Sequence, residues 1–153
     1  AIEINPNFAL AYFNRAASKE RINDPKGALN DYRRALEIEP NYYASHQGIG
    51  WAKNELRDYS GAIIAFNKSI EINPNNADAY VGRSMSKGNL KDFYGAISDC
   101  NKAIQINPEL SIAYANRGIA KKQIGDMKGA CLDWRKAFSL GDEKAAKWVK
   151  NQC

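Results

Sequence analysis

The segment Ala35-Leu36-Glu37-Ile38-Glu39-Pro40-Asn41 recurs along the chain with its proline in register, and this recurrence decides the fold. Near-copies are Ser69-Ile70-Glu71-Ile72-Asn73-Pro74-Asn75 and Ala103-Ile104-Gln105-Ile106-Asn107-Pro108-Glu109. The opening residues, Ala1-Ile2-Glu3-Ile4-Asn5-Pro6-Asn7, are a further copy one period earlier. The prolines stand 34 residues apart, so the sequence predicts an internal repeat of that length.

This period divides the chain into four full units, at residues 9–42, 43–76, 77–110 and 111–144. Residues 1–8 are interpreted as the end of a preceding unit within one repeat domain, 1–153. The chain begins inside a unit and without Met, so we expect it to be a piece of a longer protein.

Columns of like residues run down the aligned units. Within each unit the apolar residues recur at three- and four-residue steps, which is the helical period. An Asp stands between two such stretches, where it can cap the second helix, and proline stands where that helix must stop. The invariant columns are Asp24, Asp58, Asp92, Asp126; Gly27, Gly61, Gly95, Gly129; and Ala28, Ala62, Ala96, Ala130.

Each unit is therefore predicted to form two antiparallel helices joined by a tight turn. First helices are expected near 9–22, 43–56, 77–90 and 111–124, and second helices near 25–38, 59–72, 93–106 and 127–139. One hairpin cannot bury its own apolar face, so neighbouring hairpins must stack.

The end of the array departs from the pattern, since the fourth unit lacks the closing proline. Gly141 can end a helix and Asp142 can cap another. A short capping helix is predicted at about 142–151, with Trp148 against the last hairpin.

These columns resemble the tetratricopeptide repeat family, in bacterial-type tandem arrays. The likeness is closest in the first-helix segments Tyr12-Phe13-Asn14-Arg15-Ala16-Ala17-Ser18-Lys19 and Tyr114-Ala115-Asn116-Arg117-Gly118-Ile119-Ala120-Lys121. The resemblance implies an all-α fold, a right-handed α-solenoid of four helical hairpins plus a C-terminal capping helix. Departures from the family pattern place charge on first helices and replace one aromatic: Lys19, Lys53, Lys87, Lys121, Arg15, Arg83, Arg117 and His46.

The resemblance also implies a concave groove, lined by the first helices, that holds a protein or peptide partner. Six lining residues, Phe13, Trp51, Val81, Met85, Ile112 and Ile119, are expected to be partly exposed and to anchor apolar groups, with packing on neighbouring helices as the alternative for Trp51 and Met85. Gly48, Gly82 and Gly88 are expected to let a ligand backbone approach. The candidate groove residues are Leu10, Phe13, Asn14, Ala17, Gln47, Gly48, Trp51, Asn54, Asp78, Val81, Gly82, Met85, Asn89, Ile112, Ala115, Asn116, Ile119 and Lys122.

One ligand mode of the family is expected to be absent. Relatives that grip a C-terminal carboxylate use Lys, Asn and Arg at set groove positions, where this chain offers Phe13, Ala17, Gly48, Asp78 and Gly82. Asn14 and Asn116 are the isolated matches to that pattern. We therefore expect no strong preference for a free acidic C-terminus.

Catalysis, cofactors and metals find no support in the sequence. His46 is the single histidine and stands in a packing column, and no His/Cys cluster has metal-ligand spacing. The net charge of +5 comes from Lys and Arg spread at helical spacing, so nucleic acid is not favoured. No apolar run is long enough to insert in a membrane. The chain is predicted to be a non-enzymatic interaction module without cofactors.

Three cysteines occur, at 100, 131 and 153. An odd number without tight spacing argues against a disulfide framework. Cys100 and Cys131 are expected to be buried thiols and Cys153 to be exposed, which weakly favours a reducing, cytoplasmic location.

Two alternatives to partner binding stay open. The first is a scaffold that self-associates to a homo-oligomer, because an array that starts inside a unit leaves an apolar end uncovered. The second, and weaker, is an RNA-binding or enzyme-accessory array, which would need a continuous basic stripe with stacking aromatics.

Overall fold

The computed structural model describes residues 6–153, and the regular secondary structure of this part is entirely α-helical. The all-α prediction is therefore confirmed for the described residues. Residues 1–5, most of the segment interpreted as the end of a preceding unit, lie outside them. The helices are α1 (Pro6–Arg21), α2 (Pro25–Ile38), α3 (Tyr43–Glu55), α4 (Tyr59–Ile72), α5 (Ala77–Asn89), α6 (Phe93–Ile106), α7 (Ser111–Gln123), α8 (Met127–Ser139) and α9 (Glu143–Gln152).

The helices lie where the periodicity predicts, with one exception at the start. The second helices match their predicted ranges, and the first helices end one residue earlier than expected. Helix α1, however, begins at Pro6 and not near residue 9. The prolines at 40, 74 and 108 lie in turns, whereas Pro6 occupies a first helical position, where a missing N–H leaves no hydrogen bond unmade.

The chain divides into two compact units, residues 1–74 and 75–153. In the described part of the first unit, α1 to α4 pack in sequence order, and α1 also contacts α3. In the second unit, α5 to α9 pack in sequence order, and α5 also contacts α7. In both units consecutive helices therefore form hairpins, and a first helix touches the next first helix.

Every hairpin turn is closed by the same side-chain hydrogen bond. The carboxylates of Asp24, Asp58, Asp92 and Asp126 accept from the backbone N–H three residues on, at 2.8–2.9 Å. These bonds satisfy an otherwise free amide of each second helix and confirm the predicted caps. The donors belong to the glycine column, where an added Cβ would come within about 2 Å of the carboxylate. The cap therefore requires the glycine.

Small residues on first helices pack against rings from second helices. A Cβ on Gly118 would approach the Trp134 ring to 2.5 Å, and one on Gly50 would approach the Phe66 ring to 2.6 Å. These close approaches fill the core of each hairpin at the density typical of protein interiors. The alternation of small and bulky columns in the sequence is thus a packing code.

A disulfide joins Cys131 on α8 to Cys153, which follows α9. The expectation that Cys131 is a buried thiol was wrong, and the cysteine argument for a reducing, cytoplasmic location falls with it. Cys100 is a buried free thiol, as expected, and burial raises the pKa of that thiol to about 11. The two paired residues are equally distant from the turn at Asp142, so a helical hairpin brings them together.

Candidate functional site

The structure sorts the candidate groove residues into three groups by exposure. The exposed ones are Leu10, Asn14, Asp78, Asn89, Ile112, Ile119 and Lys122. The half-buried ones are Phe13, Ala17, Gln47, Trp51, Asn54, Met85 and Asn116. The buried ones are Gly48, Val81, Gly82 and Ala115.

The buried group corrects two expectations. Val81 is 1% exposed, so the prediction of a partly exposed anchor was wrong. Gly48 leaves no room for a ligand, because an added Cβ would lie 2.3 Å from the Tyr32 ring. The glycine there serves helix packing. Gly88 differs, since an added Cβ would meet nothing within 4 Å.

In the second unit, part of the predicted groove forms a cavity on α5, α6 and α7. Its volume is about 260 Å³, and apolar side chains dominate its wall. Gly88 lies at this cavity and its missing side chain leaves space there. The lining residues are Ser84, Met85, Gly88, Asn89, Phe93, Ala96, Asn116, Ile119, Ala120 and Gln123.

Asn116 brings an unsatisfied donor to this cavity. Its Nδ2 is buried and has no hydrogen-bond partner among the described residues. A buried donor left without a partner destabilises a fold by about 1–3 kcal/mol. The position is therefore unfavourable for the fold itself, which is typical of groups that serve a ligand.

In the first unit, the two predicted aromatic anchors pack on their own neighbours. The ring of Trp51 lies 5.5 Å from that of Phe66, edge to face. Phe13 lies 5.6 Å from Tyr32 and 5.2 Å from Tyr42. Both side chains stay half-buried, so packing and partial exposure coexist at these positions.

A carboxylate on α1 shares this region. Tyr32 donates its hydroxyl proton to Glu20 Oε2 at 2.9 Å. Burial raises the pKa of Glu20, the nearby Glu55 raises it further, and the bond from Tyr32 opposes both. Burial also raises the pKa of Tyr32. Protonation of this phenol–carboxylate pair is thus linked to solvent exclusion at the first-helix surface.

A repeated ion cluster was missed by the sequence reasoning. In three repeats an Arg on the first helix bonds through two nitrogens to an Asp on the second helix, and a Lys one turn later bonds the same Asp. In the fourth repeat Arg117 lies 2.6 Å and Lys121 2.9 Å from Asp133. The other two clusters are Arg15–Asp31–Lys19 and Arg83–Asp99–Lys87.

These clusters explain the departures of this chain from the family pattern. Each Arg also lies over the ring of the Tyr three residues earlier, as Arg117 does at 5.4 Å from the Tyr114 centroid. Repeat two instead has Ile49 and Ala65 at the Arg and Asp positions, and its Lys53 bonds Asp58. The Arg and Asp columns change together, 16 residues apart, and that internal covariation could have revealed the contact.

The Arg15–Asp31 pair makes stability depend on acid. The hydrogen bond from Arg15 lowers the pKa of Asp31 to about 2, against the burial that raises it. A carboxyl whose folded pKa is depressed stabilises the fold above its unfolded pKa, about 3.9, and this stabilisation is lost as pH falls through the folded value.

We expect the free energy of unfolding to decrease as pH is lowered from about 4 to about 2. The Asp31→Asn variant is expected to show a shallower decrease over the same interval. Urea titrations at a series of pH values measure both slopes. Equal slopes for the two proteins would show that Asp31 is not a source of the acid sensitivity.

His46 has a structural role, as the sequence reasoning proposed. Its Nε2 donates to the carbonyl oxygen of Pro40 at 3.0 Å. Tyr114 makes the equivalent bond to the carbonyl of Pro108 at 3.1 Å. The histidine thus replaces the aromatic residue of its column in the same contact with the preceding turn.

Two searches of the described residues gave no candidate. No group of three or more His, Cys, Asp or Glu side chains in residues 6–153 is arranged to hold a metal ion. Within the same residues, every helix is too short or too polar to cross a membrane.

Stacked antiparallel helical hairpins of 34 residues define a class of repeat proteins. The sequence matches models described as tetratricopeptide repeat over residues 9–42, 43–76 and 77–110, which together exceed half of the chain. The chain belongs to the tetratricopeptide repeat family. Members of this family are protein-interaction modules, and its repeats carry no catalytic machinery as a rule.

Solved structures share the fold. A crystal structure of MamA superposes with a TM-score of 0.80 at 22% identity, covering 93% of this chain and 83% of that one. MamA 41-end from Desulfovibrio magneticus RS-1 gives 0.78 at 17%, covering 90% and 76%. The first tetratricopeptide domain of Spaghetti (RPAP3), bound to the HSP90 peptide SRMEEVD, gives 0.68 at 24%, covering 71% and 87%. No curated protein matches the sequence.

Proposed function

We propose that the chain binds a peptide segment of a partner protein, and that the α5–α7 cavity of the second unit is the anchoring point. The single observation that carries this proposal is the buried, unpartnered Asn116 Nδ2 at an apolar cavity. An apolar side chain of the partner enters the cavity, and Asn116 donates to a backbone carbonyl of the same segment. The exposed Ile119 and half-buried Met85 supply apolar contact area beside it.

The size of the cavity favours a side chain over a cofactor. Its volume of about 260 Å³ is below the roughly 300–1,000 Å³ of small-molecule sites. Met85 adapts to varied shapes, so the site tolerates more than one anchor residue. In the first unit, Phe13 and Trp51 are proposed as additional contacts through their exposed faces.

An acidic C-terminus is not the proposed ligand. The RPAP3 domain is bound to a peptide that ends in EEVD. In this chain the positions that would grip such a terminus hold Phe13, Ala17, Gly48, Asp78 and Gly82, of which two are buried glycines and one is an acid. The peptide SRMEEVD therefore serves as a negative control for binding.

Two substitutions separate binding from folding. Asn116→Leu removes the unpartnered donor, so we expect stability to be unchanged or higher while peptide binding weakens at least tenfold. Gly88→Leu places a side chain in open space at the cavity and removes a helical glycine, a gain of about 0.5–1 kcal/mol, while it blocks the anchor.

The probe is a peptide selected from a displayed random library on the wild-type protein, with affinities measured by calorimetry. Lys102→Ala, on the exposed surface of α6, is the matched control and should bind as wild type does. If the selected peptides bind both cavity variants as tightly as wild type, the cavity is not the anchoring point.

A further inference from the structure

The disulfide between Cys131 and Cys153 lies in an open depression at the end of the α8–α9 hairpin. The depression has a volume of about 420 Å³. Cys153 is exposed and Cys131 half-buried, so the outer sulfur is open to attack from solvent. The lining residues are Met127, Lys128, Cys131, Leu132, Arg135, Gln152 and Cys153.

The walls of this depression suit thiol–disulfide exchange. Lys128 and Arg135 are exposed cations, and cations near a disulfide attract an attacking thiolate and stabilise the thiolate that leaves. Leu132 is 66% exposed and offers an apolar contact beside the sulfurs. Cys100 offers no competing reaction, because that thiol is fully buried and its raised pKa keeps it protonated.

The disulfide also restrains a helix that is weakly held otherwise. Helix α9 has 10 residues, fewer than the roughly 12–15 that an isolated helix needs to persist in water. It is attached through the buried Ala145 and through Trp148, whose ring lies 5.6 Å from that of Trp134. Asp142 caps its start, and the disulfide fixes its far end.

We propose that Cys131–Cys153 is a redox latch, opened by a dithiol reductant, that controls the docking of α9 on α8. A thiolate of the reductant attacks Cys153 Sγ and forms a mixed disulfide, while the Cys131–Cys153 bond breaks and Cys131 leaves as a thiolate that takes up a proton. The second thiol of the reductant, once deprotonated, then displaces Cys153. The dithiol becomes a disulfide, and two electrons and two protons pass to the cysteine pair.

Opening the latch increases the population of molecules in which α9 has left α8. A cross-link closing a loop of this length limits the open ensemble by a factor of roughly 100. Undocking uncovers the α8 face formed by Ala130, Trp134 and Ala137, which pack with α9 in one apolar cluster. The latch thus controls access to an apolar surface at one end of the second unit.

Native-state hydrogen exchange before and after dithiothreitol treatment tests the latch. We expect the α9 amides to exchange roughly 100-fold faster after reduction, with α5 and α6 as internal controls that do not change. Cys153→Ser should exchange at the fast rate with or without dithiothreitol, whereas Cys100→Ala should respond as wild type does. A difference in α9 smaller than threefold would overturn the proposal.

The rate of reduction by dithiothreitol, followed by alkylation and mass spectrometry, tests the site itself. The double variant Lys128→Glu/Arg135→Glu should be reduced several-fold more slowly at low salt. Lys136→Glu/Lys144→Glu changes the charge equally outside the depression and should be reduced at the wild-type rate. Reduction that proceeds only in denaturant, or equal rates in both double variants, would overturn the assignment.

Discussion

Replacing Trp134 with alanine is expected to lower the free energy of unfolding by about 3–5 kcal/mol. Trp134 is 1% exposed and is the largest of the fully buried side chains among the described residues. Its ring lies against Gly118 on α7 and Trp148 on α9, so one substitution empties the centre of two hairpins. Because its Nε1 has no hydrogen-bond partner among those residues, the loss is one of apolar contact alone.

Urea unfolding monitored by circular dichroism measures this loss. Leu132→Ala is the matched control on the same helix, since that side chain is 66% exposed and its removal should change stability by less than about 1 kcal/mol. A typical domain is stable by only about 5–15 kcal/mol, so the Trp134 variant is expected to unfold at markedly lower urea. A loss comparable to that of Leu132→Ala would contradict the packing described for Gly118 and Trp134.

The second large effect is expected from Asp133→Ala, with a loss of about 3–5 kcal/mol. Removing this carboxylate leaves Arg117 and Lys121 without a partner, and their side chains are only 18% and 22% exposed. Uncompensated charge in a desolvated position is unfavourable because neither water nor a counter-charge screens it. Asp31→Ala should be milder, because the side chain of Arg15 is 59% exposed and can turn to water.

Repeat two supplies the repair for this variant. It carries Ile49 and Ala65 where the fourth repeat carries Arg117 and Asp133. We therefore expect Arg117→Ile to restore much of the stability lost in Asp133→Ala, as an apolar replacement of a buried ion pair often does. A double-mutant cycle from thermal or urea unfolding gives the coupling between the two residues. Additive losses would show that the ion cluster does not act as a unit.

The helices and turns were predictable because each rests on local chemistry that repeats. The Asp caps, the glycines beside them and the apolar period act within a few residues of one another, so the sequence records them directly. Four copies of the pattern reinforce each signal. Gly141 takes φ +94° at the end of α8, a conformation that glycine adopts freely, and this stop was also legible from the sequence.

The candidate site was only partly predictable, because depth in a packed surface depends on neighbours that a column does not reveal. Position in the repeat places Val81 on the same helical face as Met85, yet Val81 is buried and Met85 lines the cavity. The role of Gly48 depends on where the Tyr32 ring lies, which sequence spacing does not give. The unpartnered state of Asn116 depends likewise on the absence of an acceptor within reach.

The cysteine pairing and the ion clusters were missed for a different reason. Counting three cysteines favoured free thiols, although the predicted α8–α9 hairpin already placed positions 131 and 153 opposite each other. The Arg–Asp contacts were hidden because the comparison followed each column separately and not pairs of columns. Spacing along the hairpin carried both signals.

The Asp–Gly bond in each turn separates what maintains a repeat from what distinguishes it. The bond lies wholly within the turn, and none of its eight residues lines the α5–α7 cavity. Mutations at Met85, Gly88 or Ile119 can therefore accumulate without loosening the hairpins that carry them. A gene built this way can acquire new binding preferences by gradual drift, or by duplication of whole repeats, while selection on folding stays confined to the turns and cores.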